Sequence, residues 1–136
     1  MARILGIDFG VKRSGIATTD PLQIIVSALA TIPTMELRSY LERYLLEEKV
    51  EKLVIGLPKH RDGSYTELKP DIDDFCQWVS LKYPNITIEQ IDERFTSVLA
   101  KNVILDSGLK KKDRSDKMRL DKISAVLILQ RYLGHF

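Results

Sequence analysis

Apolar residues open the chain in two short runs. Arg3 to Phe9 ends at Gly10, and Ser14 to Thr19 ends at Asp20-Pro21. Both have the length and the Gly/Pro boundaries of strands. The link Gly10-Val11-Lys12-Arg13 is short and begins with glycine, which predicts an antiparallel hairpin, and Ile24 to Ile32 adds a third strand. From Met35 to Glu48 the period changes. Met35, Leu37, Leu41, Tyr44, Leu45 and Leu46 recur among Glu36, Arg38, Glu42, Arg43 and Glu47, a helical spacing with Thr34 as its expected N-cap. Leu53 to Pro58 reads as a buried strand stopped by proline, Asp62-Gly63 as a turn, Asp71 to Lys82 as a helix and Ile86 to Ile91 as a further strand. Helices placed between strands predict crossovers to parallel neighbours. Thr96 to Leu105 and Leu120 to Leu133 are the last two helices expected.

The reading is one α/β domain spanning residues 1–136: a five-stranded mixed sheet, three antiparallel strands then parallel crossovers, flanked by helices. With 136 residues the chain buries enough surface to fold without staples, and it has neither repeats nor a Pro/Gly/Ser-rich linker to divide it. Cys76 is the only cysteine, which excludes an internal disulfide and, with two histidines, makes a thiolate zinc site a poor fit. The N-terminus enters an apolar run containing Asp8 and has no small-residue cleavage site, and no stretch reaches the ~20 apolar residues of a membrane span. A cytoplasmic protein without membrane association is expected.

Charge refines this picture at one place. Residues 110–119 carry six basic and two acidic side chains, more positive than the +2 of the whole chain. Lys110, Lys111, Lys112 and Arg114, with Lys12 and Arg13 of the first hairpin, are candidate phosphate contacts. A solvated loop is the plainer account of such a run.

Three acids stand out for chemistry. Asp8 interrupts the first strand and shares a face with Gly6 and Gly10, so its charge requires a cation, a hydrogen-bond network, a raised pKa or a metal. Its glycine neighbours permit close approach of a backbone or a ligand. Asp92-Glu93-Arg94 leaves the last strand where ligands gather in parallel sheets, although helix capping or pairing with Arg94 would also explain these charges. Asp121 opens the last helix, where the helix dipole favours any acid. It nevertheless lies on one stripe with Ser124, Ala125, Ile128 and Tyr132. Three carboxylates suit hard cations, and two such ions can promote in-line phosphodiester hydrolysis. His60 and His135 read as solvent-facing, Phe75 and Trp78 as core, and Cys76 as a small buried hydrophobe.

Gly6-Ile7-Asp8-Phe9-Gly10-Val11-Lys12-Arg13-Ser14-Gly15-Ile16-Ala17, Val54-Ile55-Gly56-Leu57-Pro58, Asp62-Gly63, Asp92-Glu93-Arg94-Phe95-Thr96-Ser97 and the segment from Asp121 to Leu129 together resemble the bacterial YqgF family over almost the whole chain. The resemblance implies a ribonuclease H-like fold and a bacterial, cytoplasmic nuclease, described either as a Holliday junction resolvase or as acting in pre-16S rRNA processing. It carries the catalytic and metal-binding roles to Asp8, Glu93 and Asp121, with Mg²⁺ or Mn²⁺ as cofactor. Precursor rRNA or branched DNA is the implied nucleic-acid partner, and a monomer or weak dimer the expected state. The chain departs from the family at Lys59-His60-Arg61 and at Met118-Arg119, two segments that would handle substrate. A nucleotide-binding fold of the actin and sugar-kinase type also begins with an acid and glycines in a first hairpin. However, it needs two related domains and a second Gly-rich phosphate loop. A noncatalytic RNA-binding, ribosome-assembly module is the remaining alternative.

Overall fold

The computed structural model describes residues 2–60, 62–92 and 117–135, with side chains described for all of these except 117–122. Among them run β1 (Arg3–Asp8), β2 (Arg13–Thr19), β3 (Val26–Pro33), a 3-10 turn (Thr34–Glu36), α1 (Leu37–Glu47), β4 (Val50–Leu57), α2 (Lys69–Lys82), β5 (Thr87–Asp92) and α3 (Lys117–Tyr132). The sheet order is β3-β2-β1-β4-β5. Strand β2 pairs antiparallel with both β1 and β3, whereas β4 joins β1 and β5 joins β4 in parallel. Both expected crossovers therefore exist, and the helix expected over 96–105 lies outside the described residues.

Alternation in the central strands divides the sheet into two faces. Leu5, Ile7 and Phe9, with Ile16, Leu53, Ile55 and Leu57, form one core with Leu37 and Leu41 of α1 and Ile72, Phe75 and Val79 of α2. Ile4, Ala17 and Val54 face the other way and pack on Ala125, Ile128 and Leu129 of α3. Strands buried on both faces read as nearly continuous apolar runs, which explains why Ile4-Leu5-Gly6-Ile7 and Leu53-Val54-Ile55-Gly56-Leu57 show little alternation. Phe75 contacts Phe9 with ring centroids 5.9 Å apart and Trp78 at 6.0 Å, so both aromatics of α2 belong to the packing, as their spacing predicted.

Several boundaries differ from the sequence pattern. Strand β3 begins at Val26 because the Asp20 carboxylate accepts the N–H groups of Leu22, Ile24 and Ile25 and bends that segment into a loop. These hydrogen bonds, those of Ile25 and Ile24 foremost, hold the Asp20 carboxyl below its ordinary pKa. Thr34 does not cap a helix. Pro33 stands at the N-cap of the 3-10 turn, and the Thr34 hydroxyl is used elsewhere. Met35 and Leu46 are exposed, since one precedes the regular helix and the other lies about 100° around from the inward-facing Leu45.

The seating of α3 on the sheet depends on glycine. A Cβ at Gly6 would lie 2.5 Å from Leu129 Cγ and 3.1 Å from the Ala125 carbonyl oxygen. At Gly10 it would lie 2.2 Å from the Arg13 carbonyl oxygen, inside the hairpin turn. Gly6 forgoes the roughly 1.5–3 kcal/mol that a large buried side chain contributes, and close approach of the helix is what its absence permits. We predict that Gly6→Ala lowers the unfolding free energy by about 1–3 kcal/mol through overpacking. Gly10→Ala should cost more, because the obstructing atom is backbone and no rotamer relieves it. Urea titrations of the two variants check both the size and the ranking.

Candidate active site at the carboxyl ends of the strands

Asp8 is the last residue of β1, the middle strand, and its carboxylate is half-buried and engaged within the chain. Its register partners are Gly15 on β2 and Gly56 on β4. Directly paired residues share a face, so the positions on either side of Asp8 contribute no side chains. Gly6 occupies the same face two residues earlier, which turns Asp8 toward the α3 side of the sheet.

Helix α3 fixes the direction from which a second acid arrives. Lys52, the β4 partner of Ile4, donates to the hydroxyl of Tyr132, while Ala125 and Leu129 lie over Gly6. The C-terminal turn of α3 therefore sits at the beginning of β1, and the helix runs antiparallel to that strand. Asp121, one turn before Ala125, has its backbone toward the Asp8 end. Ser124, Ala125 and Ile128 of its stripe are buried as the spacing predicted, and Leu129 joins them. The side chain of Asp121 lies outside the described residues, as do Glu93, Lys110, Lys111, Lys112 and Arg114.

On β5, Ile91 pairs with Gly56 and packs on the α3 side, whereas Asp92 pairs with Leu57 and takes the opposite parity. The two acids of Asp92-Glu93 are therefore distinguishable: Asp92 does not share the face of Asp8. Lys12 is exposed in the β1–β2 turn. Arg13 is half-buried, and alternation with Gly15 and Ala17 gives it the face of Asp8. His60 and His135 are exposed. Cys76 packs half-buried against the α1/α2 core, where burial pushes its thiol pKa up. Among the described residues no three His, Cys, Asp or Glu side chains come together as a metal cluster.

Sequence reasoning overlooked the support of the turn that follows Asp8. The Gly10 N–H donates to Ser14 Oγ at 3.3 Å, Ser14 Oγ lies 2.8 Å from Thr34 Oγ1, and Thr34 Oγ1 donates to the Gly10 carbonyl at 2.7 Å. Because the single Thr34 proton goes to Gly10, Ser14 is the donor to Thr34 and the three bonds close a ring. The Thr34 N–H adds a bond to the Lys12 carbonyl at 2.9 Å. Ser14 is fully buried, and this partly buried ring fixes the turn bearing Lys12 and Arg13 to the 3-10 turn that precedes α1. The polar residues Ser14 and Thr34 beside a glycine turn were its only signal in the sequence.

The fowlpox virus Holliday junction resolvase superposes on the chain with a TM-score of 0.57 at 15% identity, covering 98% of this chain and 99% of that one. For the structure of Thermus thermophilus RuvC the TM-score is 0.51 at 11% identity, covering 97% and 96%. The fold is ribonuclease H-like, the class of the resolvases. The chain itself belongs to the nuclease family described as RuvX: Holliday junction resolvase, which matches residues 2–135. A relative from Bacteroides fragilis is 47% identical over 98% of this chain and 96% of its own length, and one from Phocaeicola vulgatus is 48% identical over the same shares. One from Porphyromonas gingivalis is 45% identical over 99% and 98%. All three bear the name "Putative pre-16S rRNA nuclease". Nucleases of this fold generally use divalent metal ions.

Thr34→Val opens the hydroxyl ring while keeping the shape of the side chain. It leaves the Gly10 carbonyl and the Ser14 hydroxyl short of a partner, for which we expect a loss of about 1–3 kcal/mol. Amide exchange in the turn following β1 should quicken along with the fall in the urea midpoint.

Proposed function

We propose that the chain hydrolyses phosphodiester bonds in precursor 16S rRNA, in the 5′-end processing step of ribosome biogenesis, as a single cytoplasmic domain. The observation that carries the reading is Asp8: an engaged, half-buried carboxylate at the end of the middle strand, bordered by glycines and turned toward the helix that bears Asp121. The names of the relatives supply the substrate. Catalysis is assigned to Asp8, Glu93 and Asp121.

The donor set suits a hard cation. Asp8 offers carboxylate oxygen, whereas Cys76 packs among the α1/α2 core side chains and both histidines are exposed, which favours Mg²⁺ or Mn²⁺ over a zinc-type site. Asp8, Glu93 and Asp121 would hold the ions. When bound, a divalent ion supplies an acidified water and neutralises charge at the departing oxygen. In the hydrolysis the water oxygen joins phosphorus, the bond from phosphorus to one bridging oxygen breaks, and that oxygen leaves with a proton. The carboxylate of Asp8 orients the attacking water as a hydrogen-bond acceptor. Lys12 and Arg13 in the adjoining turn, with Lys110, Lys111, Lys112 and Arg114, hold the phosphates on either side.

The family description favours a second reading, in which the same centre cuts four-way DNA junctions. Parallel cleavage assays on precursor 16S rRNA and on a four-way DNA junction decide between them. Asp8→Asn, Glu93→Gln and Asp121→Asn should each abolish cleavage in Mg²⁺ or Mn²⁺ with unfolding midpoints preserved, and full activity in any one of them removes that residue from the centre. Cutting of the junction alone would reassign the substrate, and binding without cutting of either would make the chain an assembly module.

The basic segment has its own test. Replacing Lys110, Lys111 and Lys112 by glutamine should weaken binding and reduce the slope of log K against log salt by about 0.7–0.9 for each phosphate left without its lysine. An unchanged slope would mark the segment as a solvated loop.

A further inference from the structure

The segment that joins β4 to α2 leaves the same edge of the sheet as Asp8. Pro58 is two residues beyond Gly56, the β4 partner of Asp8, and Lys59 is three, on the order of 10 Å of extended chain. There the backbone doubles back. Lys59 and Tyr65 form an antiparallel bridge, His60 N–H donates to the Ser64 carbonyl at 2.9 Å, and Gly63 takes φ 89°. Asp62 Oδ1 accepts both the N–H of Ser64, at 2.9 Å, and its hydroxyl, at 2.6 Å. These bonds tie Lys59 and His60 to Ser64 and Tyr65, and Tyr65 has 55% of its surface exposed.

Two lysines attend the ring. Lys59 Nζ is 5.3 Å and Lys69 Nζ 5.1 Å from its centroid. Lys59 forms no ion pair among the described residues, and Lys69 shares its charge with Asp73 at 2.6 Å. Lys69 is also the first residue of α2, where the helix dipole disfavours a cation and its i,i+4 pair with Asp73 offsets that cost. Core packing does not account for Tyr65, because more than half of the residue is exposed. An aromatic ring attended by two cations suits an unpaired nucleotide, whose base stacks on the ring when an ammonium group moves aside to meet its phosphate. A base inside a duplex is already stacked on both faces and offers nothing to such a ring.

We propose that Tyr65, Lys59 and Lys69 form a subsite for an unpaired nucleotide of the RNA substrate, beside the cleavage centre. The subsite rests on the nuclease reading and narrows the substrate to RNA with a single-stranded stretch next to the bond that is cut.

Binding measured in the Asp8→Asn background, without divalent metal, keeps recognition separate from cleavage. The probes are a single-stranded RNA of about ten nucleotides and an RNA duplex containing the same sequence. Tyr65→Ala should weaken binding of the single strand about tenfold or more and leave the duplex within about twofold, while Tyr65→Phe binds both normally. Lys59→Gln with Lys69→Gln should lower the salt slope for the single strand by about 0.7 for each phosphate released. Unaltered single-strand binding by Tyr65→Ala, at an unchanged unfolding midpoint, overturns the subsite and leaves the nuclease assignment standing. Equal losses on strand and duplex overturn it too, because a general basic patch would then suffice. If the Asp8→Asn protein with Tyr65 intact binds neither RNA, the rRNA reading fails together with the subsite.

Discussion

The close contact between α3 and β1 at Gly6 is the constraint on which the other features depend. A side chain there would collide with Leu129 and the Ala125 carbonyl and lift the helix from the sheet. With hydrogen at that position, Ala125, Ile128 and Leu129 settle on Ile4, Ala17 and Val54, and the axis of α3 lies antiparallel to β1. One geometric fact thereby sets the second core and the end of the sheet toward which the backbone of Asp121 is carried. The interaction of Lys52 with Tyr132 anchors the opposite end of the helix, backed by Glu89 at 3.8 Å.

Around Asp8 the division of labour is unusual for a sheet interior. Its strand neighbours supply backbone and no side chain, while the turn beyond it is tied by a closed circuit of Gly10, Ser14 and Thr34. Rigidity therefore comes from hydrogen bonds beside the carboxylate and from packing on the opposite face of the strand.

Most of the fold was legible because burial imposes a period. The runs at Arg3 to Phe9 and Leu53 to Pro58 are buried strands, Phe75 and Trp78 of α2 join the core, and the stripe of Ser124, Ala125 and Ile128 faces inward, as their spacing predicted. Misreadings occurred where local hydrogen bonding overrode the pattern. Ile24 and Ile25 look like strand yet are turned out by the Asp20 carboxylate, and Thr34 looks like a cap yet closes a ring with a residue twenty positions earlier. For the candidate site, spacing drew attention to Asp8 and to the stripe of Asp121, but periodicity cannot express which residues become cross-strand partners. Gly15 and Gly56 acquired meaning only from the register, and Tyr65 only when Lys59 and Lys69 were found around its ring. Each of these depends on contacts between segments, which no local pattern records.

The glycines at 6, 15 and 56 also bear on how such a protein can be improved. Filling gaps and replacing glycine are ordinary routes to greater thermal tolerance, and a search guided by stability alone would visit these positions early. Two of them adjoin the carboxylate directly and the third seats the helix beside it. This end of the sheet is made by omission: at Gly6 a methyl group would meet Leu129 and the Ala125 carbonyl, so an exchange that often raises stability elsewhere lowers it here.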